Sequence, residues 1–112
     1  MDGLSRIPWW RWLPLPWWKW GVVLKVSAPN DIPARLPRSG AVLVHDGQTA
    51  TWIGYDCPCR RGHRVLLNLD SRRRPYWQLT DARRLTLSPS VDQHSAVGQC
   101  HYWIRKGRVR WV

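Results

Sequence analysis

The sequence has no Glu, no Phe, a single Met and three Lys among its 112 residues. Its seven acidic side chains are all Asp, against 18 Lys and Arg, so the formal net charge is +11. The scarcity of Glu and Lys, together with nine Pro and eight Gly, excludes a long coiled coil. No apolar run reaches the length that a membrane-spanning helix needs. The chain is too short for a second core of normal size or for a large multi-step enzyme. Full disorder is excluded by a 44% hydrophobic composition arranged in strand-like runs.

Cysteine is also sparse. There are three, an odd number, and two of them stand as Cys57-Pro58-Cys59. A bridge between residues two apart is strained, which argues against a disulfide framework. No secretory signal is visible, because Trp, Pro and Arg occupy the place of an unbroken apolar segment. The expectation is a cytoplasmic chain in which metal ligation outranks disulfide bonding.

What the sequence has in plenty is Arg and Trp. Arg supplies 15 of the 18 cations, which favours bidentate contact with phosphate or carboxylate. The alternative is compositional, since a GC-rich genome encodes Arg, Trp and Pro freely. Six of the ten Trp fall in residues 1–20, MDGLSRIPWWRWLPLPWWKW. Trp9, Trp10, Trp12, Trp17, Trp18 and Trp20 surround Arg11 and Lys19, and Pro8, Pro14 and Pro16 prevent a long helix. Indoles and cations together suit an interfacial anchor that reaches the inner membrane surface. The same residues also suit a tail that packs part of its Trp on the domain.

From residue 21 onward the pattern is short strands and turns. Val22–Val26 is an apolar run, residues 31–37 hold a helical turn, and residues 41–55 form a hairpin around Asp46-Gly47. Cys57–Gly62 is a tight loop and His63–Leu69 a buried strand. Tyr76–Thr80 and Leu85–Leu87 are short strands, and Ser88–Gly98 is a polar loop in which Ser88-Pro89-Ser90 reads as a turn with hydroxyl caps. His101–Arg105 and Arg108–Val112 flank a Lys106-Gly107 turn. The expected architecture is a mainly β domain over residues 21–112, a small antiparallel sheet or barrel of hairpins, preceded by an irregular Trp-rich leader over residues 1–20.

Five soft or borderline ligands stand out: Cys57, Cys59, His63, Cys100 and His101. Tetrahedral structural zinc needs four thiolate or imidazole ligands. A Cys-x-Cys loop joined by a pair from a later strand is a zinc-ribbon-like staple, and a small domain gains stability from one. If residues 100–104 form a regular strand, Cys100 and His101 point to opposite faces and His63 completes the shell. If Cys100 lies in a loop or bulge, both ligate. A Cys100 nucleophile with His63 or His101 as base would leave Cys57-Pro58-Cys59 unexplained. A zinc hydrolase would lack a Glu base and have only Asp56 nearby.

Tyr55-Asp56-Cys57-Pro58-Cys59, Gly62-His63-Arg64-Val65, Leu67-Asn68-Leu69, Arg74-Pro75-Tyr76-Trp77, Leu87-Ser88-Pro89-Ser90-Val91 and Cys100-His101-Tyr102-Trp103-Ile104-Arg105-Lys106-Gly107-Arg108-Val109 follow one another in this order. This pattern resembles the bacterial domain-of-unknown-function family 6527 over residues 22–112. The resemblance implies a small β-rich, metal-binding domain of bacteria and phages. It also implies a setting beside ubiquitin-like conjugation genes linked to antiphage defence. Relatives often carry Gly-Cys after the Cys-Pro-Cys, where this chain has Arg60 and Arg61, and often end in Cys, where it has Val112.

The first functional expectation is therefore a non-catalytic module with a structural Zn2+. It would recognise another protein or a polyanion through Arg60, Arg61, Arg64, Arg72, Arg73, Arg74, Arg105, Lys106 and Arg108. The alternatives are a zinc- or cysteine-dependent enzyme of the same system, a single-stranded nucleic-acid binder that stacks bases on Trp77, Trp103 or Trp111, and a protein held at the membrane surface by its leader.

Overall fold

The computed structural model describes residues 7–13, 19–96 and 98–112. The mainly β expectation holds. Nine strands occur among these residues: β1 (Gly21–Val26), β2 (Gly40–Asp46), β3 (Thr49–Asp56), β4 (Arg64–Asn68), β5 (Gln78–Asp81), β6 (Thr86–Ser88), β7 (Val91–Ser95), β8 (Gly98–Arg105) and β9 (Arg108–Trp111). Among the described residues the helical structure is limited to 3-10 turns at Trp9–Trp12 and Pro29–Asp31. The second of these begins two residues before the expected turn, because Pro29 supplies the fixed φ that opens it.

The strands form three sheets, ordered β1-β2-β3-β4, β5-β6 and β7-β8-β9. The first departs from the all-antiparallel expectation, since β1 runs parallel to β2. A parallel partner cannot be reached by a tight turn, and the segment between β1 and β2 supplies the crossover. Strand β2 explains how β1 is tolerated there. Ala41, Val42, Leu43 and Val44 are all buried, so this central strand is covered on both faces, as its continuous apolar run requires.

The larger core lies between the first and third sheets. It gathers Leu43, Ile53, Tyr55, Val65 and Leu67 from one side and Val91, Cys100, Tyr102 and Ile104 from the other, with Leu85 and Leu87 closing the gap. A smaller cluster on the opposite face of the first sheet joins Val42 and Leu24 to Leu36 and Ile7. Ile7 and Trp12 of the leader are thus part of the packing.

The second departure is β7. Residues 88–98, expected as a polar loop, contain this edge strand, which pairs with β8 from Val91↔Tyr102 to Ser95↔Gly98. Only Val91 is buried along it, so the side chains carry no apolar alternation to announce a strand. At the other side of β8, Lys106 and Gly107 both have positive φ, 50° and 78°, as a two-residue hairpin turn requires. A Cβ on Gly107 would lie 2.6 Å from Lys19 Cβ, so this turn also seats the chain entering β1. The Gly107 carbonyl accepts from Trp20 N, which fixes the same contact.

Candidate functional site

The loop after β3 is built to hold ligands. The Cys57 amide donates to the His63 carbonyl, closing the loop at 3.0 Å, and the Arg60 amide donates to the Cys57 carbonyl. Arg60 and Gly62 adopt positive φ, which turns the chain sharply enough to bring His63 back over the cysteines. Cys100 arrives from β8. The ligand atoms of Cys57, Cys59, His63 and Cys100 all lie within 4.8 Å of one another, with Cys59 Sγ and Cys100 Sγ 3.2 and 3.7 Å from His63 Nε2. Ligand atoms around a tetrahedral zinc stand roughly 3.7 Å apart, given bonds of about 2.0–2.3 Å, and the two separations of 3.2 and 3.7 Å lie close to that spacing.

The electrostatics agree. Burial pushes the Cys57 thiol up to about 12, and burial with the neighbouring Cys59 raises Cys100. At Cys59 burial also pushes upward, but the Arg61 amide, the Cys57 and Cys100 thiols and the Arg61 guanidinium outweigh it, and that thiol is lowered. Three sulfurs crowd one another, and a divalent cation bound among them would displace their protons. Behind them the buried Tyr102 hydroxyl lies 2.9 Å from the Tyr55 hydroxyl.

The fifth candidate ligand, His101, is elsewhere. Residues 98–105 form a regular strand, so Cys100 and Tyr102 point into the core while His101 faces outward. There His101 Nε2 lies 3.0 Å from Ser90 Oγ. Ser90 immediately precedes β7. Its carbonyl accepts from Trp77 Nε1 at 3.3 Å, and the neighbouring Val91 is fully buried. The His101 carbonyl accepts from Val112 N at 3.0 Å. Asp92 stands opposite His101 in the register, but its carboxylate accepts from Gln99 Nε2 at 2.8 Å. Among the described residues no carboxylate hydrogen-bonds His101. Ser90 and His101 therefore form a half-buried pair, with His101 on β8 across the strand from Cys100.

The geometry removes His101 as a base for a Cys100 nucleophile, and the His63 that lies 3.7 Å from Cys100 Sγ belongs to the cysteine cluster. Its sulfur is buried on the face away from His101. Ser90 was missed as a functional residue, because a hydroxyl in a Ser-Pro-Ser turn reads as a cap and its partner lies 11 positions away across a strand pair.

The nine polyanion candidates are spread over three stretches of the chain. Arg60 and Arg61 sit on the cysteine loop, and Arg64 pairs with Asp56 at 2.7 Å. Arg72 pairs with Asp70 at 3.0 Å, in the turn that also carries Arg73 and Arg74. Arg105, Lys106 and Arg108 surround the β8–β9 turn. In the leader, Trp20 packs edge-on against Tyr55 and Trp12 joins the smaller core, whereas Trp9 and Trp10 are exposed. Trp17 and Trp18 lie outside the described residues. No helix among the described residues is long and apolar enough to cross a membrane. A cleft of about 630 Å³ lies beside the cysteine loop, bounded by Trp20, Leu36, Pro58, Val109 and Trp111, and does not include Ser90 or His101.

The fold and these two constellations describe a small β domain with a Cys3His ligand set on one face of a strand and a Ser–His pair on the other. The chain belongs to the bacterial ubiquitination-like system serine protease (BubE) family, which matches residues 28–112. That match covers both constellations and leaves out the Trp-rich leader. It gives the ubiquitin-like setting under a different family name from the one the sequence resemblance supplied. No curated protein and no solved structure matches the chain.

Proposed function

We propose that the protein is a serine protease of a ubiquitin-like conjugation system, with Ser90 as nucleophile and His101 as general base. The observation that carries this reading is the 3.0 Å contact between Ser90 Oγ and His101 Nε2 in a family named for serine proteolysis. Such a pair is the working core of acyl transfer, where a base within hydrogen-bond reach activates a hydroxyl. It favours catalysis over the non-catalytic module expected from the cysteines alone.

In this reaction Ser90 Oγ attacks the carbonyl carbon of the scissile amide while His101 Nε2 takes its proton. The tetrahedral adduct collapses, the C–N bond breaks, and the departing amine carries off that proton. His101 then takes a proton from water, which attacks the Ser90 ester. The acid product leaves and Ser90 Oγ recovers a proton from His101. Trp77 holds the Ser90 carbonyl, and so the nucleophile's backbone, during both steps. The family's description supports a polypeptide of a ubiquitination-like system as the substrate class.

Cys57, Cys59, His63 and Cys100 would hold a structural zinc ion. Bound there, it would supply a cross-link between the loop after β3 and strand β8.

The test is covalent. A fluorophosphonate probe phosphonylates an activated serine, and peptide mapping should place it on Ser90. Ser90→Ala should abolish labelling, and His101→Asn should slow it by roughly 10³-fold or more, as loss of the base does in other hydrolases. Labelling that survives in Ser90→Ala would remove this assignment.

A further inference from the structure

The β7–β8–β9 sheet carries a second message on the face that bears the dyad. Direct cross-strand partners in an antiparallel pair share a face, and alternate residues along a strand do so too. His101, Trp103 and Arg105 therefore line one face of β8, opposite the buried Cys100, Tyr102 and Ile104. The register pairs Trp103 with Arg110 and Arg105 with Arg108, which brings both β9 arginines to the same face. Arg105 stacks its guanidinium 4.0 Å from the Trp103 ring, so this cation is held flat on the sheet rather than free in solvent. Among the described residues no carboxylate pairs with Arg105, Arg108 or Arg110. Arg64 and Arg72, by contrast, are already neutralised by Asp56 and Asp70.

Resting on the protease reading, we infer that this face binds an acidic stretch of the substrate polypeptide that flanks the scissile bond. The spacing makes the inference specific. Residues two apart on a strand are about 7 Å apart, and those four apart about 13 Å. An extended peptide with its scissile carbonyl at Ser90 has the same rise. Side chains two residues apart on that peptide would meet the Trp103/Arg110 pair and the Arg105/Arg108 pair. Carboxylates there would each find a guanidinium, and an Asp-rich alternating segment is the sequence that fits. A nucleic-acid strand could also use Arg and Trp, but the patch continues a row that begins at the hydrolytic pair, and this favours the polypeptide.

The experiment uses full-length Ser90→Ala protein and three labelled decapeptides, read by fluorescence anisotropy. One alternates Asp with Gly, one carries the same Asp residues in a contiguous block, and one replaces every Asp with Asn. An oligothymidylate of equal charge is the fourth probe. The alternating peptide should bind most tightly, with the Asn peptide weaker by about tenfold or more. Arg105→Gln and Arg110→Gln should each weaken it roughly three- to fivefold, the scale of a partly exposed ion pair, while Arg73→Gln leaves it unchanged. Equal binding of the Asp and Asn peptides, no binding of either, or tighter binding of the oligothymidylate would overturn the inference. The fluorophosphonate result separates the two claims. Ser90 labelling without peptide preference removes the acidic-substrate inference alone. Preference without labelling removes the protease reading and leaves a docking face for acidic polypeptide.

Discussion

Consecutive residues of β8 do opposite work. Cys100 and Tyr102 face the core and the ligand cluster, while His101 faces Ser90. Tyr102 is fully buried, and its hydroxyl lies 2.9 Å from that of Tyr55. Burial raises both tyrosine hydroxyls far above their ordinary range, Tyr102 further still through Tyr55, so both stay protonated. Either Tyr102→Phe or Tyr55→Phe leaves one buried hydroxyl without its partner, at a cost of about 1–3 kcal/mol. Because the two act as a unit, the double variant should be destabilised by less than the sum of the singles. Urea denaturation of the metal-loaded protein checks this. Strict additivity would mean that the hydroxyl pair contributes nothing as a pair.

At the scale of elements, β8 joins everything. It is the centre of its sheet, it supplies Cys100 to the loop after β3, and it presents His101 to the residue that starts β7. Metal binding by a small domain is coupled to folding and can contribute on the order of 10 kcal/mol. Chelation should therefore do more than empty a site. It should release β8 from the loop, lose the near-ultraviolet circular dichroism of the packed Trp, and lower fluorophosphonate labelling of Ser90, with zinc restoring all three. Cys57→Ser should resemble the chelated protein. Full labelling and an unchanged spectrum after complete metal removal would show that the cluster is not the staple. Much of this arrangement was legible in the sequence. The hairpin at Asp46-Gly47, the cysteine loop and the Lys106-Gly107 turn each have local signatures, positive-φ residues and alternating apolar positions. The strand alternation that separates Cys100 from His101 was also available as one of two alternatives. Two features had no local signature. Asp92-Gln93-His94-Ser95 lies at a sheet edge, where a strand needs no apolar face, and the parallel β1–β2 pairing is decided by burial of β2 on both sides rather than by anything in β1.

The whole molecule is a first sheet packed on both faces, and the leader helps to cover one of them. Ile7 is 5% exposed among Leu24, Leu36 and Val42, and Trp12 packs at the margin of that cluster with Arg35 over its ring. Arg11 is buried, its pKa lowered by desolvation, and its Nη2 donates to the Ser39 carbonyl at 2.9 Å beside the start of β2. Trp9, between these anchors, is 76% exposed. The leader thus contains two kinds of residue, those that fasten it and those that it displays. Ile7→Ala should destabilise the domain by about 2 kcal/mol or more, because it opens a gap against β1 and β2 in a cluster of few members. Trp9→Ala should leave stability within about 0.5 kcal/mol, as expected for an exposed side chain. If the displayed indoles bind membrane, Trp9→Ala should instead weaken association with vesicles containing anionic lipid, measured by sedimentation. Ile7→Ala should weaken that association only insofar as it unfolds the protein. Thermal melts and vesicle sedimentation on the same two variants separate the roles. A large melting shift for Trp9→Ala, with none for Ile7→Ala, would reverse the assignment of which leader residues belong to the fold.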